Sequence, residues 1–185
     1  MLLRTEVRTM IYTVQYESPL GGMQISEKDG ALTGIWFADR PPLVRPEEKT
    51  EPQETPLLVQ ACRWLDSYFG GENPPAKALQ IHLQGSFFQQ EVWTLLREIP
   101  YGRVTSYGEL AKKIARRRGI KCMAAQAVGG AVGRNPIAIL VPCHRVIGAD
   151  GSPVGYAGGL ERKKKLLHLE GVTLDSPQNT GVFFV

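Results

Sequence analysis

The chain contains no apolar run long enough to span a membrane, and its opening MLLRTEVRTM lacks the apolar stretch and small-residue cleavage site of a secretory signal. These absences lead to the expectation of a soluble cytoplasmic protein with no membrane partner. Cysteine is scarce: Cys62, Cys122 and Cys143 form no CxxC pair and leave an odd thiol. That argues against a disulfide framework or zinc ribbon and for a reducing compartment. The only histidines, His82, His144 and His168, show no ligand spacing such as HExxH. Neither a metal nor an organic cofactor is expected. What the chain has is 185 residues with 43% hydrophobic content, enough for one sizeable core or a small domain beside a medium one.

The net charge of +4 is unevenly spread. Residues 1–80 carry 8 basic and 11 acidic side chains, whereas residues 81–185 carry 14 basic and 7 acidic ones. The first part is therefore at −3 and the second at +7. A cationic second part suits a polyanion, although a solvated basic surface gives the same count.

Strand patterns run from Ile11 to Tyr16, Met23 to Glu27 and Leu32 to Phe37, with Lys28-Asp29-Gly30 as a tight turn. Pro41, Pro42, Pro46 and Pro52 lie among charged residues and predict a solvent-facing loop. Thr55 then precedes a helical pattern through Leu58, Cys62, Leu65 and Phe69, stopped by Gly70-Gly71. Cys62 sits in that pattern as a packing residue. A last strand is expected near Leu79 to Leu83, followed by a domain boundary.

Beyond Ser86 the chain reads as helices. Ser86 with Gln89, and Ser106 with Glu109, make two capping-box patterns. The second opens a helix that ends in Arg116-Arg117-Arg118 before Gly119. A third helix begins near Met123 and carries small residues where a surface helix usually has long charged ones. Close packing on a neighbour explains that, and so does close approach to a ligand. Two helices in this order suggest a helix-turn-helix. The apolar run Ile137-Ala138-Ile139-Leu140-Val141 predicts a buried extended segment delivering Pro142-Cys143-His144-Arg145. A turn-rich loop from Gly148 to Gly159 and a helix from Leu160 to Glu170 complete the pattern, with Val182-Phe183-Phe184 as a docking candidate in the tail.

A cysteine beside a histidine is a candidate nucleophile, since the thiolate is the attacking form. On extended backbone the two side chains would face opposite ways, which favours a bridging water over direct contact. Glu170 is placed to orient His144 as the third member of a relay. At a helix C-terminus an unpartnered carboxylate is disfavoured by the dipole.

The stretches NPIAILVPCHRVIGADG, GYAGGLERKKKLLHLEG and FFQQEVWTLLREIPYGRVTSYGELA together resemble the O6-alkylguanine-DNA alkyltransferases, almost without a break from Gly85 to Gly171. The segment YESPLGGMQISEKDGALTGIWF is similar to the family's more variable N-terminal domain. The resemblance implies an α+β fold. A ribonuclease H-like N-terminal sheet domain with a helix would span residues 1–84, a mainly helical DNA-binding and catalytic domain 85–174, and a tail 175–185. It implies a monomeric DNA-repair protein that binds double-stranded DNA through the minor groove and flips out the damaged nucleotide. The alkyl group of O6-alkylguanine, or of O4-alkylthymine as a second candidate, would pass irreversibly to Cys143.

Residue by residue, the resemblance makes Cys143 the acceptor, His144 a water-linked base, Glu170 its partner, Asn135 a brace for the turn and Tyr107 a nucleotide-flipping proton donor. The carbonyls of Cys143 and Val146, with the loop Val154-Gly155-Tyr156-Ala157-Gly158, would hold the base. Ala124, Ala125, Gln126, Gly129 and Arg134 would meet DNA, and Arg116, Arg117 and Arg118 would grip phosphates from a basic segment between helices. Three departures stand out. Gln126 replaces a common arginine, Ala157 replaces a frequent serine, and Arg116 to Met123 is longer and more basic than usual. A cysteine hydrolase and a non-catalytic lesion sensor are the rival readings. The first has no evident oxyanion hole, and the second is disfavoured by a cysteine at the acceptor position.

Overall fold

The structure is a computed structural model and describes residues 10–40 and 49–173. Three antiparallel strands, β1 (Ile11–Ser18), β2 (Gly21–Lys28) and β3 (Ala31–Phe37), lie where the alternating pattern places them. Asp29 and Gly30 both take positive φ, 54° and 75°, as the two-residue turn between right-twisted strands requires. A bulge at Ser26/Glu27 shifts the β2–β3 register. The proline-rich stretch contributes a strand the local pattern does not announce, β4 (Thr50–Pro52), which pairs parallel to β1. The other prolines of that stretch lie outside the described residues.

Helix α1 (Pro56–Phe69) is capped by Thr55, whose side chain accepts from Leu58 N, and it stops at Gly70. It lays Leu58, Ala61, Leu65 and Tyr68 into the core. The strand expected over Leu79–Leu83 does not form. A 3₁₀ turn, Ala76–Ala78, is followed by one bridge, Leu32 with Ile81. The reason is competition for the edge of β3. Its upper end bonds to Gln80 and His82, while its lower end is taken by Ile35 N to Pro136 O (3.0 Å) and Ala138 N to Ile35 O (2.9 Å).

Helix α2 (Phe87–Leu96) has the full Ser86/Gln89 capping box. A two-stranded pair, β5 (Thr105–Ser106) and β6 (Val146–Ile147), precedes and follows the central helices. In α3 (Tyr107–Arg118) only the Ser106 side of the second capping pattern appears, Ser106 accepting from Glu109 N, because Glu109 turns to Lys112 instead. Gly119, left-handed at φ 64°, ends α3. Arg116, Arg117 and Arg118 are thus its last turn and not part of a linker. Helix α4 (Ala125–Gly133) follows, tied to α2 by Trp93 Nε1 donating to Ala131 O at 2.9 Å.

Ile137, Ile139, Leu140 and Val141 are buried, as their composition demands, but the segment is not extended. Val141 N returns to Ile137 O (3.0 Å), and Ile139 is held at φ 70°, a strained conformation for a β-branched residue. An apolar run gives the same signal for a buried strand and for a buried turn. Helix α5 (Leu160–Leu169) ends with Glu170 at its cap position. A continuous core joins the sheet, α1, α2 and the Cys143 segment, with Ile35, Leu65, Leu95, Ile137 and Val141 fully enclosed. Among the described residues no helix is long and apolar enough to cross a membrane. The expected docking segment Val182-Phe183-Phe184 lies outside the described residues.

Candidate active site

Cys143, His144 and Arg145 occupy a single 3₁₀ turn. The turn rotates successive side chains away from the opposed directions of a strand, so Cys143 faces a cavity while His144 and Arg145 face Glu170. Asn135 holds the preceding segment in place. Its Oδ1 accepts from Ile137 N (3.0 Å), and its Nδ2 donates to Val141 O (2.7 Å) and lies 3.1 Å from Cys143 Sγ. A side chain eight positions upstream thereby fixes both the backbone turn and the sulfur.

Glu170 is buried at 5% exposure and accepts from five donors. These are His144 Nε2 (2.8 Å), Tyr68 Oη (2.7 Å), Gly102 N (3.2 Å), Arg145 Nε (2.8 Å) and Arg145 Nη2 (2.9 Å). Burial opposes ionisation of this carboxyl, but His144 and Arg145 overcome it and hold the group well below the usual carboxylate range. The same arrangement explains an acid at a helix C-terminus, because Arg145 neutralises the charge that the dipole would repel. Burial pushes the His144 pKa down, against the pull of Glu170. We assign His144 as neutral, with its proton on Nε2 toward Glu170 Oε1. Nδ1 is then an acceptor, buried and without a protein partner among the described residues. No direct bond joins it to the sulfur. Burial raises the Cys143 pKa, while the Asn135 amide, the charge of Lys163 and the main-chain N–H groups of Cys143 and His144 act in the opposite direction.

Lys163 is fully buried. Its ammonium donates to the carbonyls of Val146, Val154 (2.6 Å) and Gly155 (3.2 Å), tying the loop to the turn that carries the cysteine. Burial lowers its pKa to about 8. The Val146 carbonyl, expected to meet a substrate amine, is therefore already bonded to Lys163. Tyr107 Oη lies 3.1 Å from both Val154 O and Gly155 O, and burial raises its pKa to about 12. Tyr156, Ala157 and Gly158 border the same cavity as Cys143 and Asn135, and Arg134 stands on its wall. At Gly158 an added Cβ would fall 2.5 Å from the Tyr156 ring and 2.9 Å from Phe37, so only glycine fits there.

Of the remaining sequence candidates, Ala124, Ala125 and Gln126 are exposed at the start of α4, and Gly129 faces the Tyr107 ring. Arg116 is exposed. Arg117 pairs with Glu98 at 2.8 Å and Arg118 with Glu91 at 2.6 Å, both acids flanking or within α2. Arg145, Tyr68 and Lys163 were not among the expected site residues. A signal for Lys163 existed: 163, 166, 167 and 170 share the i, i+3, i+4, i+7 spacing of one helix face, which places a lysine among buried leucines.

Lys163→Met preserves length and removes the charge. It is expected to slow iodoacetamide modification of Cys143 at neutral pH, by removing a positive charge that favours the thiolate. Rates measured by mass spectrometry from pH 6 to 10 check this. An unchanged profile would mean that Lys163 serves only to tie the loop.

A buried thiol beside a histidine–carboxylate pair and at the wall of a cavity is an arrangement that can support the chemistry of a class, proteins with a nucleophilic cysteine. Two family descriptions match this chain. The 6-O-methylguanine DNA methyltransferase ribonuclease-like domain matches residues 10–83, and the DNA-binding domain of the same family matches residues 87–172. Methylated-DNA–protein-cysteine methyltransferases from Mycobacterium leprae and Methanosarcina acetivorans are each 42% identical to it. Both alignments cover 87% of this chain, with 93% and 99% of the respective relatives. The crystal structure of Mycobacterium tuberculosis OGT in complex with DNA superposes with a TM-score of 0.69 at 39% identity, covering 87% of this chain and 92% of that one. The chain belongs to the 6-O-methylguanine DNA methyltransferase family.

Proposed function

We propose that the protein repairs DNA by moving an alkyl group from O6 of guanine onto Cys143 Sγ, once per molecule. The observation that carries this reading is the sulfur's placement: held by Asn135, facing a cavity, and backed by the buried His144–Glu170–Arg145 cluster. In the reaction His144 Nδ1 takes the thiol proton through a water. The thiolate attacks the alkyl carbon, an S–C bond forms, and the C–O6 bond breaks with its electron pair going to oxygen. Tyr107 returns a proton to the departing guanine. Arg145 fixes the charge on Glu170, which leaves His144 neutral and able to act as the base.

O6 of a paired guanine lies inside the duplex, so the nucleotide must leave the stack to be attacked. We assign α3, the turn after Gly119, and α4 as a helix-turn-helix whose second helix enters the minor groove. Ala124, Ala125 and Gly129 allow close approach, and Gln126 acts as a neutral plug for the vacated stack. Arg116 contacts a phosphate directly, whereas Arg117 and Arg118 do so only after leaving Glu98 and Glu91. Val154, Gly155, Tyr156, Ala157 and Gly158 close over the flipped base. The division into 1–84, 85–174 and a tail is supported by the two matched family domains. The same reading makes the protein a cytoplasmic monomer.

A thioether has no good leaving group, so the protein is consumed. With duplex carrying O6-methylguanine in excess, repair is expected to stop at one lesion per chain in a quantitative assay. Continued turnover would overturn the proposal.

A further inference from the structure

Cys143 borders a cavity of about 590 Å³. That volume lies in the range, about 300–1,000 Å³, of pockets that hold small organic ligands, which gives room for a flipped base together with a substituent larger than methyl. The space adjoins the sulfur, where a group newly bonded to sulfur must be housed. One wall is built from the N-terminal sheet, by Trp36 and Phe37 of β3 and by Arg40 just after it.

The amides of Gln84, Gln89 and Asn135 line this cavity, and the buried polar groups left without a partner beside them can donate. Trp36 Nε1 and Tyr156 Oη are buried and have no protein partner among the described residues, and both side chains line it. An indole N–H can only donate. Burial keeps the Tyr156 hydroxyl protonated far above its ordinary range, so it too can donate. Arg40 and Arg134 add positive charge, and no aspartate or glutamate is among the described lining residues. A methyl group carries no acceptor for these donors.

We propose that this cavity receives O6 adducts of several carbons that end in a carboxylate, recognised through Arg40, Trp36 and Tyr156. The inference rests on Cys143 being the alkyl acceptor. The sulfur bonds to the adduct's first carbon as that carbon's bond to O6 breaks, the electron pair leaves on O6, and guanine departs protonated. The distal carboxylate takes no part in the bond changes and serves only in binding.

The test uses three duplexes of one sequence, carrying O6-methyl-, O6-butyl- or O6-carboxypropylguanine. Single-turnover rates are read by intact mass for the parent protein and for Arg40→Gln, an exposed position. The two long adducts share the same kind of reacting carbon, so intrinsic reactivity cancels in their ratio. The parent is expected to accept both and to prefer carboxypropyl. Arg40→Gln should lower the carboxypropyl-to-butyl ratio about fivefold, the effect of an ion pair of about 1 kcal/mol, and leave methyl transfer unchanged. Trp36→Phe, which removes the indole N–H and keeps a ring, should lower the same ratio. Transfer of methyl but of neither long adduct would overturn the claim that the cavity houses them. A ratio unchanged by Arg40→Gln would overturn carboxylate recognition, as would equal slowing of all three substrates, the pattern of a phosphate contact. Absence of methyl transfer in the parent would instead refute Cys143 as acceptor.

Discussion

Glu170→Ala is expected to remove about 3–5 kcal/mol of folding stability, because it leaves the Arg145 guanidinium buried without its counter-charge. Arg145 is only 9% exposed, and apart from Glu170 its side chain donates to a carbonyl, Ile99 O, at 2.7 Å. Tyr68 and Gly102 N lose their acceptor at the same time. Glu170→Gln keeps the volume but carries no charge, so it should destabilise less and still slow transfer by an order of magnitude or more. Urea unfolding and single-turnover rates, measured where each variant remains folded, separate the two effects. A loss below about 1 kcal/mol for Glu170→Ala would place the cluster in the class of surface pairs.

The same carboxylate predicts an acid dependence. Its folded pKa lies below that of the unfolded chain, about 4.3, so its contribution is complete above roughly pH 5 and declines as pH falls toward the folded value. Glu170→Gln should flatten that part of the stability–pH curve.

Features specified by neighbours in sequence were legible. The positive-φ turn at Asp29-Gly30, the Thr55 and Ser86 caps and the left-handed Gly119 stop all follow from residues within a few positions. Cys143, His144 and Glu170 were also within reach, since they lie in contiguous matching motifs. Pairings across the chain were not. Tyr68 meets Glu170 from 102 positions away, and nothing local distinguishes it from any other aromatic residue of an amphipathic helix. Arg145 is adjacent to His144, yet its role depends on a carboxylate 25 positions later. The strand expected at Leu79–Leu83 failed for a related reason: β3 has one free edge, and the Pro136–Ala138 segment occupies part of it. The pairing of Arg117 and Arg118 was not legible in the basic run after Ile114, because the acids they meet, Glu98 and Glu91, lie just after and within α2.

Cys143→Ala should abolish alkyl uptake while leaving affinity for the damaged duplex, since it removes only a buried sulfur and no charge. The other two thiols offer the internal comparison. Cys122 is exposed and Cys62 half-buried, and neither lies in the His144–Glu170 cluster. If generic thiol reactivity governed transfer, the exposed Cys122 would compete. If the cluster around Cys143 governs it, exposure is irrelevant and a thiol at 5% exposure reacts alone.

Peptide mass mapping after reaction with excess duplex bearing O6-methylguanine decides between these most directly. The account predicts one methyl group per chain, on the peptide carrying Cys143, and no uptake by Cys143→Ala. A methyl group on Cys122 or Cys62, or methyl uptake by the Cys143→Ala protein, would contradict it.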